Sequence, residues 1–339
     1  MLQTFNYDQP FHFEEGGSIR SLQIAYHTYG TLNPEKDNVV WICHALTANS
    51  DVADWWKGLV GPGKVLDPQH YYIVCANILG SCYGTTGPSS KASGSALPYG
   101  KDFPDFTIRD MVNAHELLST HLGITRIQLL VGGSMGGYQA LEWAFKSPER
   151  IKKLFLLATS AAESAWGIAI HTAQRMAIEA DPEWQTGIRG TGDKGLKAAR
   201  AIGMLTYRNF ELFNAQQSDP DPEKTKDFKA SAYLHYQAQK LADRFDPLTY
   251  HRLTRAMDSH NIARGRNTDI ASVLSTIKQP TLLIGIASDI LCPPSEQRFM
   301  AEHLPDCTYR EINSAYGHDG FLIEYALISG HLSSWIAGR

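Results

Sequence analysis

Ser134 stands in the run Val131-Gly132-Gly133-Ser134-Met135-Gly136-Gly137, a G-x-S-x-G pentapeptide with an apolar run before it and a helix-like run after it. A serine hydroxyl attacks a carbonyl only when a neighbouring base takes its proton, and a strand-to-helix elbow lifts the oxygen clear of a sheet toward such a base. Glycines at 132 and 136 leave room for so tight a turn. The pentapeptide alone is a common accident, so its surroundings must carry the assignment. An acid is expected at Asp289, just beyond the apolar run that ends at Ile286, and a base at His318, beyond the strand-like run from Thr308 to Ile312. With 13 histidines in the chain, no single one is informative; serine, acid and histidine in this order, each after a strand, is the pattern of a hydrolytic triad.

Acyl transfer by such a triad needs two backbone donors for the oxyanion. The amide of Met135, directly after the nucleophile, is one candidate. The second is expected in His44-Ala45-Leu46-Thr47-Ala48-Asn49, the loop after Val39 to Cys43, and is assigned to Leu46. His44 ends a strand there and is read as a support of that loop.

Strands and helices must deliver these groups to one place. Near-continuous apolar runs at 39–43, 71–75, 127–131, 154–157 and 281–286 read as parallel strands covered on both faces. A helix is expected from Phe106 to Leu122, where apolar residues recur at three- and four-residue steps. Strand and helix alternating in this way predict a doubly wound, mostly parallel α/β sheet, with antiparallel strands added at the start, over Ile19 to Tyr29. From about 165 to 275 the rhythm gives way to helix periods (168–180, 196–207, 230–245 and 247–257) and a proline-aspartate loop at 218–222. The expected organisation is a core domain of 1–164 and 276–339 with a helical lid of 165–275 inserted in it.

The 339 residues carry a net charge of −4 with both signs interspersed, so there is no basic field for nucleic acid or anionic lipid, and a small molecule is the expected partner. Five scattered cysteines without C-x-x-C spacing argue against a disulfide framework and a zinc site. The N-terminal residues lack an export pattern and no stretch has the length of a membrane helix, so a soluble, cytoplasmic protein is expected. Cys82 is read as a small packed residue, and Trp55-Trp56 as a wall near the oxyanion loop.

These residues belong to a longer ordered series. It runs through His44-Ala45-Leu46-Thr47, Asp54 to Lys64, Ala76 to Ser90, Asp105 to Asp110, GGSMGGYQALEWA from Gly132 to Ala144, Leu205-Thr206-Tyr207-Arg208, Asp243 to Asp246, Leu253 to Asp258 and Gly317 to Leu322. Over nearly its whole length the chain resembles the homoserine O-acetyltransferase family, acyltransferases of the α/β-hydrolase fold. The resemblance implies ping-pong acetyl transfer from acetyl-CoA to the hydroxyl of L-homoserine, in methionine biosynthesis, through an acetyl-Ser134 intermediate. A thioester is already activated, so acetyl-CoA is the co-substrate and neither metal nor bound cofactor is expected. The family's carboxylate-gripping lid arginine falls on Arg200, and the carboxylate that receives the amino group falls on Asp319. A guanidinium fork suits a carboxylate and an aspartate suits an ammonium. Tyr207, at i+7 from Arg200, either faces the same cavity or packs. The resemblance also implies a homodimer through the lid helices. Ala48 and Ser81 replace glycines common in the family and are expected near the acyl pocket. Relatives that use succinyl-CoA or accept serine share the triad, and the same triad hydrolyses esters or thioesters when water reaches the acyl-enzyme.

Overall fold

The computed structural model describes residues 1–92, 94–186 and 192–338. Ten strands lie among them: β1 (Gln3–Tyr7), β2 (Phe11–His12), β3 (Ser18–Ile19), β4 (Leu22–Tyr29), β5 (Val39–Cys43), β6 (Tyr72–Ala76), β7 (Leu129–Gly133), β8 (Leu154–Leu157), β9 (Thr281–Ile286) and β10 (Cys307–Ile312). The helices are α1 (Val52–Trp55), α2 (Ile108–His121), α3 (Met135–Lys146), α4 (Ala165–Glu179), α5 (Asp193–Tyr207), α6 (Phe210–Gln217), α7 (Lys229–Ala242), α8 (Pro247–Asp258), α9 (Ile270–Leu274), α10 (Pro294–His303), α11 (Gly320–Ile323) and α12 (Tyr325–Ala337).

Eight strands form one sheet in the order β1-β4-β6-β5-β7-β8-β9-β10. Strand β4 runs antiparallel to β1 and β6, and every pair from β6 to β10 is parallel. This is the doubly wound, mostly parallel α/β sheet expected from the alternation of apolar runs and helix periods, with antiparallel strands at its start. The reason the central runs carry no polar alternation is visible in β5. Its Val39, Trp41 and Cys43 join a core with residues of α2 and α3, while Val40 and Ile42 join a second core with Leu332 and Trp335 of α12. Side chains alternate between faces with period two, so a strand covered on both sides must be apolar throughout. Trp41 meets Trp143 of α3 edge to face at 5.1 Å.

Helix α2 starts where its cap dictates. The Thr107 side chain accepts from the Asp110 amide and the Asp110 side chain accepts from the Thr107 amide, a reciprocal capping box. Strand β7 lies two residues later than the apolar run at 127–131. Ile127 makes only an isolated bridge to Ile151, whereas Gly132 and Gly133 continue the ladder opposite Leu156 and Leu157. Glycine carries no apolar signal, yet the crossing helix α3 needs it there.

Between β8 and β9 the chain forms α4 to α9 without a strand among the described residues. Helix α4 packs on α5 and α8, and α5 packs on α7. Residues 187–191 of the expected lid lie outside the described residues. No helix among the described residues is long and apolar enough to cross a membrane, and all five cysteines are free.

Candidate active site

Ser134 joins β7 to α3 with φ 53° and ψ −129°, a conformation that costs a non-glycine residue roughly 1–3 kcal/mol. Its neighbours hold it there. The Ser134 amide donates to the Leu157 carbonyl at 3.0 Å, and the Thr159 hydroxyl donates to the Ser134 carbonyl at 2.8 Å. A Cβ on Gly132 would stand 2.2 Å from the Gly136 carbonyl oxygen, and one on Gly136 would stand 2.0 Å from that of Cys43. The two glycines therefore let α3 rest directly on the strand ends.

The turn after β9 brings Asp289 and the turn after β10 brings His318 to this serine. The Ser134 hydroxyl lies 2.9 Å from Nε2 of His318, whose Nδ1 lies 2.6 Å from Oδ2 of Asp289. The other carboxylate oxygen accepts from the amides of Leu291 and Cys292 at 2.8 and 2.9 Å, which fixes the acid. All three residues are buried. Burial pushes the imidazole toward its neutral form, but the charge and hydrogen bond of Asp289 outweigh it and hold His318 above the ordinary histidine range. A base so placed can take a proton from Ser134 and stabilise the positive charge it gains.

Leu46 borders the same cavity as Ser134, and Met135 opens α3, where the first amides have no intrahelical acceptor and the helix dipole favours negative charge. The loop that carries Leu46 is tied down by His44. One ring nitrogen donates to the Ala45 carbonyl at 2.9 Å and the other accepts from the Ile78 amide at 3.2 Å. Burial pushes this imidazole down to about 4, so it stays neutral and supports the loop. Gln139 is a further support that sequence reasoning missed. Its amide donates to the carbonyls of His44 and Met135, each at 3.2 Å, and its oxygen bonds His115, so one side chain braces both loops that carry the expected oxyanion donors. A polar residue inside the apolar start of α3 was the available signal.

The triad opens into a cavity of about 250 Å³ roofed by α4, α5 and α8. Arg200 and Tyr207 both reach it, the guanidinium 5.4 Å from the centre of the tyrosine ring, and that ring lies 6.0 Å from the ring of His318. Among the described residues no carboxylate pairs with Arg200. Asp319 lines the cavity too, but its Oδ2 is held by Arg208 at 3.1 Å. Burial raises the Asp319 carboxyl above its usual range, against the pull of Arg208, His318 and Arg200. Arg208 appears in the sequence only as part of a motif. Its partner lies 111 residues away, and no local signal announces such a pair.

Other side chains shape the roof and wall. His171 of α4 reaches the cavity with Nδ1 bonded to Asp258 at 2.8 Å, and Arg175 holds the same aspartate at 2.5 Å. Neither was expected from sequence. Trp55 borders the cavity, its indole donating to Asn49 at 2.8 Å, while Trp56 is buried behind it. Ala48 lies at the cavity as expected. Ser81 does not: its amide turns back onto Ile78 and Gly80 bonds Thr86, which folds this stretch toward a separate groove beside β4. Cys82 faces that same groove, and burial pushes its thiol up to about 11, far from a nucleophile's range. Among the described residues, Asp289, Cys292 and His318 are grouped closely enough to suggest metal ligands. Two of them are already bonded to each other, and burial raises the Cys292 thiol well above its usual range, so the set is poorly suited to hold a cation.

The model of the α/β-hydrolase fold matches residues 38–325. Homoserine O-acetyltransferase of Trichormus variabilis is 47% identical, over 94% of this chain and 89% of its own. That of Cyclobacterium marinum is 46% identical, over 98% and 94%. The crystal structure of homoserine O-acetyltransferase from Bacillus anthracis superposes with a TM-score of 0.91 at 25% identity, covering 99% of this chain and 97% of that one. An acetylester hydrolase from Corynebacterium glutamicum, at 24% identity and a TM-score of 0.88 over 99% and 95% of the two chains, shares the fold. With nearly half its residues identical to these transferases along almost its full length, the chain is an acyltransferase that belongs to the homoserine O-acetyltransferase family.

Proposed function

We propose that this protein transfers an acetyl group from acetyl-CoA to the side-chain hydroxyl of L-homoserine, a step toward methionine, with Ser134, His318 and Asp289 as its catalytic triad. One observation carries the reading: the cavity onto which the serine opens also holds Arg200, an arginine without a carboxylate partner among the described residues, and a carboxylate, Asp319. Nucleophile and receptors for both charged ends of an amino acid share one compartment.

In the first half-reaction His318 Nε2 takes the Ser134 proton as Oγ bonds the thioester carbonyl carbon. The oxyanion accepts from the amides of Leu46 and Met135. The C–S bond then breaks, the sulfur leaves with the proton from His318, and acetyl-Ser134 remains. In the second, the homoserine hydroxyl gives its proton to His318 and attacks the acetyl carbonyl, and Oγ recovers a proton as it departs. Asp289 steadies the imidazolium in both. Arg200 would receive the acceptor's carboxylate and Asp319 its ammonium, with Tyr207 lying between Arg200 and the triad. The roof of 165–275 then acts as a lid domain on a core of 1–164 and 276–339, and it keeps competing water from the acyl-enzyme. Exposed apolar side chains on the lid helices, among them Trp166, Met176 and Leu205, support a homodimer formed through the lid. The five free cysteines fit a reducing cytoplasm.

Mixing the protein with acetyl-CoA tests the reading. An acetyl mass increment on the intact chain is expected, absent in Ser134→Ala, with steady release of CoA only once homoserine is added. Release at the same rate without homoserine would make the protein a thioesterase; turnover with succinyl-CoA in place of acetyl-CoA would reassign the donor.

A further inference from the structure

Helix α5 does more than present Arg200 to the cavity. Its C-terminal end lies against the turn that carries His318: Gly317 has φ +62°, and a Cβ there would stand 2.7 Å from the Tyr207 carbonyl oxygen and 2.9 Å from the backbone of Arg208 and Asn209. The helix ends at Tyr207, and Arg208, with extended backbone (φ −105°, ψ 151°), sends Nη1 to Oδ2 of Asp319. The Arg208 Nε is sealed from solvent without a hydrogen-bond partner among the described residues. Among the described residues, Arg208 is the one group bonded to the Asp319 carboxylate.

We propose that Arg208 is a positioning residue for the acyl acceptor, holding Oδ2 of Asp319 so that Oδ1 remains to receive the acceptor's ammonium and Arg200 remains open to its carboxylate. The inference rests on the reading of Asp319 as the ammonium receptor. The charged and titratable groups around that carboxylate are Arg200 and Tyr207 on α5 and Arg208 just beyond it, with His318 and Asp289 from the core. Without Arg208 the one arginine left in electrostatic reach of Asp319 among the described residues is Arg200. Asp319 then either turns onto Arg200, filling the seat of the substrate's carboxylate, or takes up a proton, since burial already favours its neutral form. Either way the site loses a zwitterion's receptor while the triad keeps its own bonds.

The test compares Arg208→Gln, Arg208→Lys and Asp319→Asn in two assays: the burst of acetyl-enzyme from acetyl-CoA, and steady-state transfer to homoserine and to its desamino analogue, 4-hydroxybutyrate. For Arg208→Gln the burst is expected to persist, which also reports a folded site, while KM for homoserine rises about tenfold or more, as loss of a charge-assisted contact implies. The rise should be larger at pH 6.5 than at pH 8.5, the direction set by protonation of Asp319. Transfer to 4-hydroxybutyrate should be unchanged where Asp319 takes up a proton and should fall where it turns onto Arg200, and Arg208→Lys should recover most of the homoserine KM. A homoserine KM unmoved in Arg208→Gln but raised in Asp319→Asn overturns the inference. So does an equal loss in burst and KM, the mark of general loosening. If Asp319→Asn leaves the homoserine KM unchanged, the reading of Asp319 itself is wrong.

Discussion

Arg200→Ala separates the two halves of the proposed reaction. Arg200 lies at the cavity without a carboxylate partner among the described residues, its guanidinium 5.4 Å from the ring centre of Tyr207. A carboxylate that reaches it gains a charge-assisted contact of about 1.5–3 kcal/mol, and at about 1.4 kcal/mol per decade its loss lowers kcat/KM for homoserine by roughly 10- to 150-fold. The triad's hydrogen bonds involve neither Arg200 nor any atom bonded to it. Acylation by acetyl-CoA should therefore keep its rate, whereas transfer to homoserine should demand much higher acceptor concentration. Rapid-mixing measurement of CoA release in the first turnover, paired with steady-state titration of homoserine, reads both quantities on the same preparation. If the first-turnover rate falls as far as kcat/KM for homoserine, Arg200 serves the donor or the fold, and the division of labour between core and lid is wrong. Arg200→Lys keeps the charge but not the planar fork, so it should fall between the two.

The pH profile reads the acid of the triad. Because Asp289 holds His318 above the ordinary histidine range, the neutral base is recruited only as pH rises past that range, and the acid limb of kcat/KM for acetyl-CoA should lie above pH 6.5. In Asp289→Asn only the weaker pulls of Asp319 and Glu163 oppose burial, so the limb should move to lower pH while the plateau drops by about four orders of magnitude; an unmoved limb would remove Asp289 from its role. Gly136→Ala puts a Cβ 2.0 Å from the Cys43 carbonyl, at the root of the loop that carries Leu46. It should cost about 1–3 kcal/mol of stability and slow acylation together; parental melting temperature and burst would show that the elbow has slack.

Much of the site was legible because its residues announce themselves locally. Ser134 is flanked by glycines that the elbow requires, and Asp289 and His318 each follow a run apolar enough to be a strand. The longer helices between β8 and β9 were legible as periods, although α4 begins at Ala165, three residues before its apolar rhythm, because the Ser164 side chain accepts from the Gly167 amide. Helix α6 was not foreseen: it has eight residues, none of them buried, so no apolar stripe marks it. What remained hidden is long-range and polar. Gln139, the His171–Asp258–Arg175 cluster and the Arg208–Asp319 pair owe their roles to partners brought together by the fold, and a lone charged or amide side chain in sequence looks the same whether solvated or braced. Ser81 failed for a related reason. A position shared with the family's glycine did not reveal that its own bond to Ile78 and that of Gly80 to Thr86 turn the stretch away.

The parallel ladder that supports the triad has a consequence for what this fold can become. Serine, acid and histidine leave the ends of β7, β9 and β10, among them the fully buried β7 and β9, whose amides are released only when the whole domain opens. The proposed seat for the second substrate draws Arg200 from helices inserted between β8 and β9, beside Asp319 from the turn after β10. Carbonyl chemistry is thus written into the part of the molecule least able to drift, and the identity of the attacking hydroxyl into a part that can be redrawn without unpairing a strand. A descendant that lost Arg200 and admitted water would keep every bond of its triad, and would differ from its parent only in what it lets in.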